Sequence, residues 1–112
     1  MYSKDLLKGT LSTIILKLLT HHGKMYGYEI VQRVKLVSDN KILLKEGSLY
    51  PALHKLKDDG FVKVEKEEIE NRVRKYYSLT QKGTKATKEK VDELNQFIVT
   101  LQHILATKST SP

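Results

Sequence analysis

The sequence predicts a mainly α domain of the α+β class: three helices, a β-hairpin and one long closing helix. Three observations predict it. Apolar residues recur at helical spacing in four separate segments. Two runs of β-type residues flank a short tip at residues 69–71. Capping and turn residues stand at the ends of these segments, where each element needs to stop or start. With 112 residues the chain reads as one domain with a modest core.

The first helix is expected over residues 5–22, where Leu7, Leu11, Ile14, Ile15, Leu18 and Leu19 form a stripe and Gly23 supplies a C′ residue. The second covers residues 26–37, with Ile30, Val31, Val34 and Val37 on its apolar side and Glu29 paired to Arg33 at i,i+4. Gly27, having no side chain, admits a close neighbour. The segment KILLKE at 41–46 is too short for a helix and reads as a brief strand. The third helix spans 48–59. Ser48 is its expected N-cap, which makes Pro51 the third helical residue, where a missing N–H is harmless. Gly60 closes it.

Phe61, Val62 and Val64, then Val73, Tyr76, Tyr77 and Leu79, form the two arms of the hairpin, with Asn71 suited to a left-handed turn. Thr80 is the N-cap of a final helix over 81–107, and the tail 108–112 reads as flexible. Residues 1–80 are expected to form one functional unit and the helix at 81–107 a second. Three helices followed by a hairpin is the winged form of the helix-turn-helix, with the third helix in the recognition position.

Net charge is +7, from 20 lysines and arginines against 13 acidic residues. A basic balance in a small domain points to polyanions, nucleic acid before anionic membrane. The third helix supports this. Leu49, Ala52, Leu53 and Leu56 share one arc, while Ser48, Tyr50, Pro51, His54, Lys55 and Lys57 occupy the rest. Its start carries the positive end of the helix dipole, and Asp58 and Asp59 sit at its far end, turned away from phosphate. The hairpin is segregated: Glu65, Glu67, Glu68 and Glu70 lie on its first arm, and Arg72, Arg74 and Lys75 on its tip and second arm, suited to backbone phosphate.

Along the last helix Val91, Leu94, Ile98, Leu101 and Leu105 are spaced 3, 4, 3 and 4, broadened by Phe97 and Ile104. That is the seam of a helix that pairs with another, and a homodimer would cover it. Such a dimer reads two half-sites about 34 Å apart on DNA.

Catalysis is not expected. There is no Gly-rich phosphate loop, no HExxH and no cysteine. His21 and His22 are adjacent and diverge by about 100° on a helix, so they form no chelating pair. His54 reads as groove-facing, His103 as solvent-facing and Ser48 as a cap. No cofactor and no metal site are expected. No apolar run approaches the roughly 18 residues of a membrane span, and no signal peptide is visible, so the expected location is cytoplasmic. The rival reading is a winged helix used for protein–protein contact, which would need no basic wing.

The segments YGYEIVQRV, EGSLYPALHKLKDDGFV and RVRKYYSLTQKG, in this order across residues 6–83, resemble the PadR family of bacterial transcriptional regulators, in its compact branch with a single C-terminal helix. The resemblance implies a winged helix with a C-terminal dimerisation helix, and repression by binding operator DNA, often relieved by a small molecule. By position it puts Ser48, Tyr50, Pro51, His54 and Lys55 on the recognition helix, and Tyr26 near the DNA backbone. It puts Arg72, Arg74 and Lys75 on the wing, and Tyr76 and Tyr77 on the strand leading from it. The wing tip departs from the pattern, having Asn71-Arg72-Val73 where many relatives carry Gly-Arg-Pro or Gly-Gly-Arg. Some members sandwich aromatic compounds with a tryptophan between the dimer helices; this chain has no tryptophan.

Overall fold

A computed structural model describes residues 2–108. The expected tail at 108–112 lies outside them apart from Lys108. The elements run α1 (Lys4–Lys8), α2 (Leu11–His22), β1 (Lys24–Tyr26), α3 (Gly27–Val37), α4 (Glu46–Asp58), β2 (Val62–Ile69), β3 (Arg72–Leu79) and α5 (Gln81–Ala106). No helix among the described residues is long and apolar enough to cross a membrane.

The stripe at 5–22 is two helices rather than one. Gly9 is a poor helix former, and Thr10 turns both its amide (3.0 Å) and its hydroxyl (3.2 Å) onto the Leu7 carbonyl. A new helix then starts, with Ile14 donating to the Thr10 carbonyl at 3.0 Å. α1 buries nothing, whereas α2 buries Leu11, Ile15, Leu16 and Leu19.

Gly23, at φ 76°, ends α2 and sends the chain into β1. This three-residue strand pairs antiparallel with β3, Met25 opposite Tyr77 and Tyr26 opposite Tyr76, in a sheet ordered β1-β3-β2. The expected strand at 41–46 does not form. Asp39 and Asn40 take left-handed backbone, the Ser38 hydroxyl accepts from the Ile42 amide at 2.9 Å, and Leu44 plugs the core. Nor does Glu29 pair with Arg33. Its carboxylate turns back to accept from the Tyr26 amide at 3.1 Å, satisfying a donor at the start of α3 that would otherwise be orphaned.

α4 begins three residues earlier than an N-cap at Ser48 predicts. Lys45 is the N-cap, and its carbonyl accepts from both Ser48 (3.0 Å) and Leu49 (2.9 Å). The Ser48 amide already lies inside the first turn, so its hydroxyl caps nothing. Pro51 is therefore the sixth helical residue. Its absent N–H would have bonded to the Gly47 carbonyl, and Gly47 is exposed, where water can replace that bond. Burial overrides the proline, because Leu49, Leu53 and Leu56 are almost wholly enclosed.

The core joins Ile15, Leu16 and Leu19 of α2, Ile30 and Val34 of α3, the three leucines of α4, and Met25, Val62 and Tyr77 from the sheet. The hairpin turns through Glu70 (φ 51°) and Asn71 (φ 65°), the two left-handed residues of a type I′ turn. Asparagine suits this conformation and glutamate does not. Glu70→Asn should therefore stabilise the protein by about 1 kcal/mol. Thermal unfolding followed by circular dichroism should show a rise in Tm of about 5 °C; an unchanged Tm would refute a strained turn.

Thr80 caps α5 as expected, its hydroxyl oxygen accepting from the Gly83 amide at 3.0 Å. The first half of α5 packs on α2 and buries Gly83, Ala86 and Thr87. The second half leaves the body, and the molecule measures 68 × 29 × 21 Å.

Candidate nucleic-acid interface

α4 presents Pro51, His54 and Asp58 along its outward line, with Tyr50 and Lys55 on either flank and Ser48 half-buried in the first turn. Two of these side chains have partners, one along the helix and one across to α3. His54 Nε2 lies 3.3 Å from Asp58 Oδ2, one turn on, so the acidic end of the helix shares the outward line instead of turning away. Tyr50, only 42% exposed, lays its ring across the start of α3. A Cβ added to Gly27 would stand 2.5 Å from the Tyr50 hydroxyl and 3.0 Å from Cζ. The close neighbour anticipated at Gly27 is this phenol. Beneath it, Tyr77 belongs to the core. Burial first, and Tyr50 second, raise its phenol above the ordinary value, so it stays protonated.

The sheet carries a chain of aromatic and charged contacts on its outer face. The Arg74 guanidinium lies 4.5 Å from the centroid of the Tyr26 ring. Tyr26 meets Tyr76 edge to face at 5.5 Å and 77°. The Lys24 ammonium lies 5.1 Å from the Tyr76 centroid and pairs with Glu67. That carboxylate raises the Lys24 pKa, chiefly by its hydrogen bond. Cation–π and edge-to-face contacts of this kind are weak attractions taken singly. Together they brace the hairpin against the start of α3.

Register divides the basic residues of the wing between two faces. Arg72 is opposite Ile69 and Arg74 opposite Glu67, both on the outer face. Lys75 is directly opposite Lys66, on the face that continues the core. Arg72 and Lys75 are exposed, while Arg74 and Tyr76 are half-buried in the brace. Lys66 and Lys24 were not among the residues singled out from the sequence. Lys66 was discoverable: a two-residue turn at 70–71 dictates its pairing with Lys75. Lys24 was not, because nothing local announces β1. Like charges placed opposite each other repel, and an anion between them would relieve that repulsion.

A groove of about 510 Å3 runs beside Phe61 and Ala86 at the start of α5. The ammonium groups of Lys82 and Lys90 stand 5.2 and 5.8 Å from the centre of the Phe61 ring.

The family model described as transcriptional regulator PadR-like matches residues 15–89. An uncharacterised protein of Lysinibacillus sphaericus is 31% identical over 94 residues, covering 83% of this chain and 85% of that one. A solved structure of a transcriptional regulator from Clostridium thermocellum is 33% identical, with a TM-score of 0.82 over 89% of this chain and 97% of that one. A PadR family transcriptional regulator from Eggerthella lenta is 27% identical, with a TM-score of 0.77 over 93% and 88% of the two chains.

Proposed function

Because the chain belongs to the PadR-like family of transcriptional regulators, we propose that it is a cytoplasmic homodimer that binds palindromic operator DNA and represses transcription. In this reading residues 1–80 bind DNA and the helix at 81–107 pairs two copies. The supporting observation is the division of α4. Leu49, Leu53 and Leu56 anchor it in the core, while Tyr50, Pro51, His54 and Lys55 are exposed beside a hairpin that carries exposed Arg72 and Lys75. A helix so anchored can enter a major groove without giving up any core contact.

The residues divide by role. Tyr50, His54 and Lys55, with Ser48 and Pro51 setting the approach of the first turns, face bases. Arg72 and Lys75, with Tyr26 and Tyr76 in the brace, meet the backbone. Arg74 holds the wing against Tyr26 and adds its charge there.

Salt titration of duplex binding is the test. Affinity should fall steeply with salt as lysines and arginines release counterions, with a log–log slope near −0.9 per phosphate contacted. Arg72→Ala should weaken every duplex alike and flatten that slope by about 1, while Lys55→Ala should lose discrimination between operator and random duplex, about 1–3 kcal/mol. Absence of binding to any duplex at low salt, the promoter of its own gene included, would favour a protein–protein module. Repression and release by a small molecule are carried by the family resemblance alone. A reporter placed behind the bound promoter tests both.

A further inference from the structure

The end of α4 and the beginning of α5 are clasped together around one threonine. The chain leaves α4 through Asp59 and turns at Gly60, φ 79°. The Thr80 hydroxyl donates to the Gly60 carbonyl at 2.6 Å, and the Thr80 amide donates to the Phe61 carbonyl at 3.0 Å. The same hydroxyl oxygen accepts from the Gly83 amide at 3.0 Å. The Lys82 ammonium donates to the Asp59 carbonyl at 2.8 Å and stands over the Phe61 ring. Gly83 lies so close to the Phe61 carbonyl that no side chain fits there. One hydroxyl thus caps the helix that carries the seam and ties down the turn that ends α4.

Leverage makes this joint consequential. Leu101, toward the far end of the seam, lies about 30 Å beyond the clasp along α5, so 5° of play at the clasp displaces one end against the other by about 3 Å. We propose that the clasp sets the separation of the two α4 helices in the dimer, with Thr80 as its positioning residue. This rests on the homodimer reading above. Within each protomer α5 packs on α2, and the clasp locks its start to the end of α4; the seam fixes α5 to α5; the α4–α4 distance follows from these.

The chain has no cysteine, so Lys57→Cys offers a single spin-label position on the exposed side of α4. Pulsed dipolar spectroscopy then reads the α4–α4 distance across the dimer. Thr80→Val preserves the shape of the side chain and removes both hydroxyl hydrogen bonds. The expected result is a dimer of unchanged mass by sedimentation whose distance distribution is wider by about 3 Å, with Thr80→Ser restoring the narrow distribution. Lys82→Met, which leaves the cap intact and removes the bond to Asp59, should widen it less and serves if Thr80→Val fails to fold. An unchanged width in either folded, dimeric variant overturns the proposal. A parent protein of monomer mass with no dipolar signal overturns the homodimer reading and this inference with it.

Discussion

Leu101→Glu is expected to halve the mass of the protein in solution and to remove operator binding at concentrations that saturate the parent. Phe97, Ile98, Leu101, Ile104 and Leu105 lie exposed on the half of α5 that leaves the body, with Leu105 82% exposed and Ile104 61%. Val91 and Leu94, nearer the body, are half-buried. A stripe of this size rarely stays in water on a monomer. Each large aliphatic or aromatic side chain that pairing encloses contributes about 1.5–3 kcal/mol. In a twofold interface the substitution occurs twice, and each glutamate brings a charge that must be stripped of water with no cation opposite. The loss on DNA follows from valency. Two linked half-site readers bind about 100- to 10,000-fold more tightly than one, so a monomer should retain only the weak half-site affinity. Sedimentation equilibrium and a gel-shift titration check both parts. A Leu101→Glu protein of parental mass would place the pairing surface elsewhere.

Gly83→Val is expected to be the most damaging single change to the fold. Its Cβ would be driven into the Phe61 carbonyl, a backbone atom that is itself held by the Thr80 amide. Because the obstacle is backbone, no rotamer change relieves it; α5 must lift away from the turn or the turn must unfold. Losses of this kind reach roughly 3 kcal/mol or more, which for a chain of this length lowers Tm by about 15 °C. Gly9→Ala is the matched control. Nothing lies within 4 Å of a Cβ at Gly9, and its φ of −78° suits any residue, so its stability should change by less than about 1 kcal/mol. Equal behaviour of the two variants in thermal melts would show that the close approach at Gly83 is not needed.

Much of this architecture was legible beforehand. Helical period exposed the segments that became α2, α3, α4 and α5, and the Thr80 cap and the tip at Asn71 stood where local chemistry required them. The two edges misread at α1–α2 and at the start of α4 have a common cause. Thr10 and Lys45 begin helices through backbone geometry, with no side-chain cap bond at either. The candidate interface was half legible. Which residues of α4 face outward followed from the period of the helix, as did the i,i+4 spacing of His54 and Asp58, but the Gly27 seat of Tyr50 did not.

By itself, then, the sequence determined the type and order of the main elements, the apolar side of α4 and the apolar stripe of α5, because each is a periodic property of neighbouring residues. Tertiary structure alone decided that Lys24–Tyr26 is a strand, since three residues have no period and the partner strand lies some fifty positions away. It decided which wing cations share a face, since that depends on register across the turn. It decided that Gly83 must be glycine and that Gly27 seats the Tyr50 ring, since the Phe61 carbonyl and Tyr50 come from distant parts of the chain.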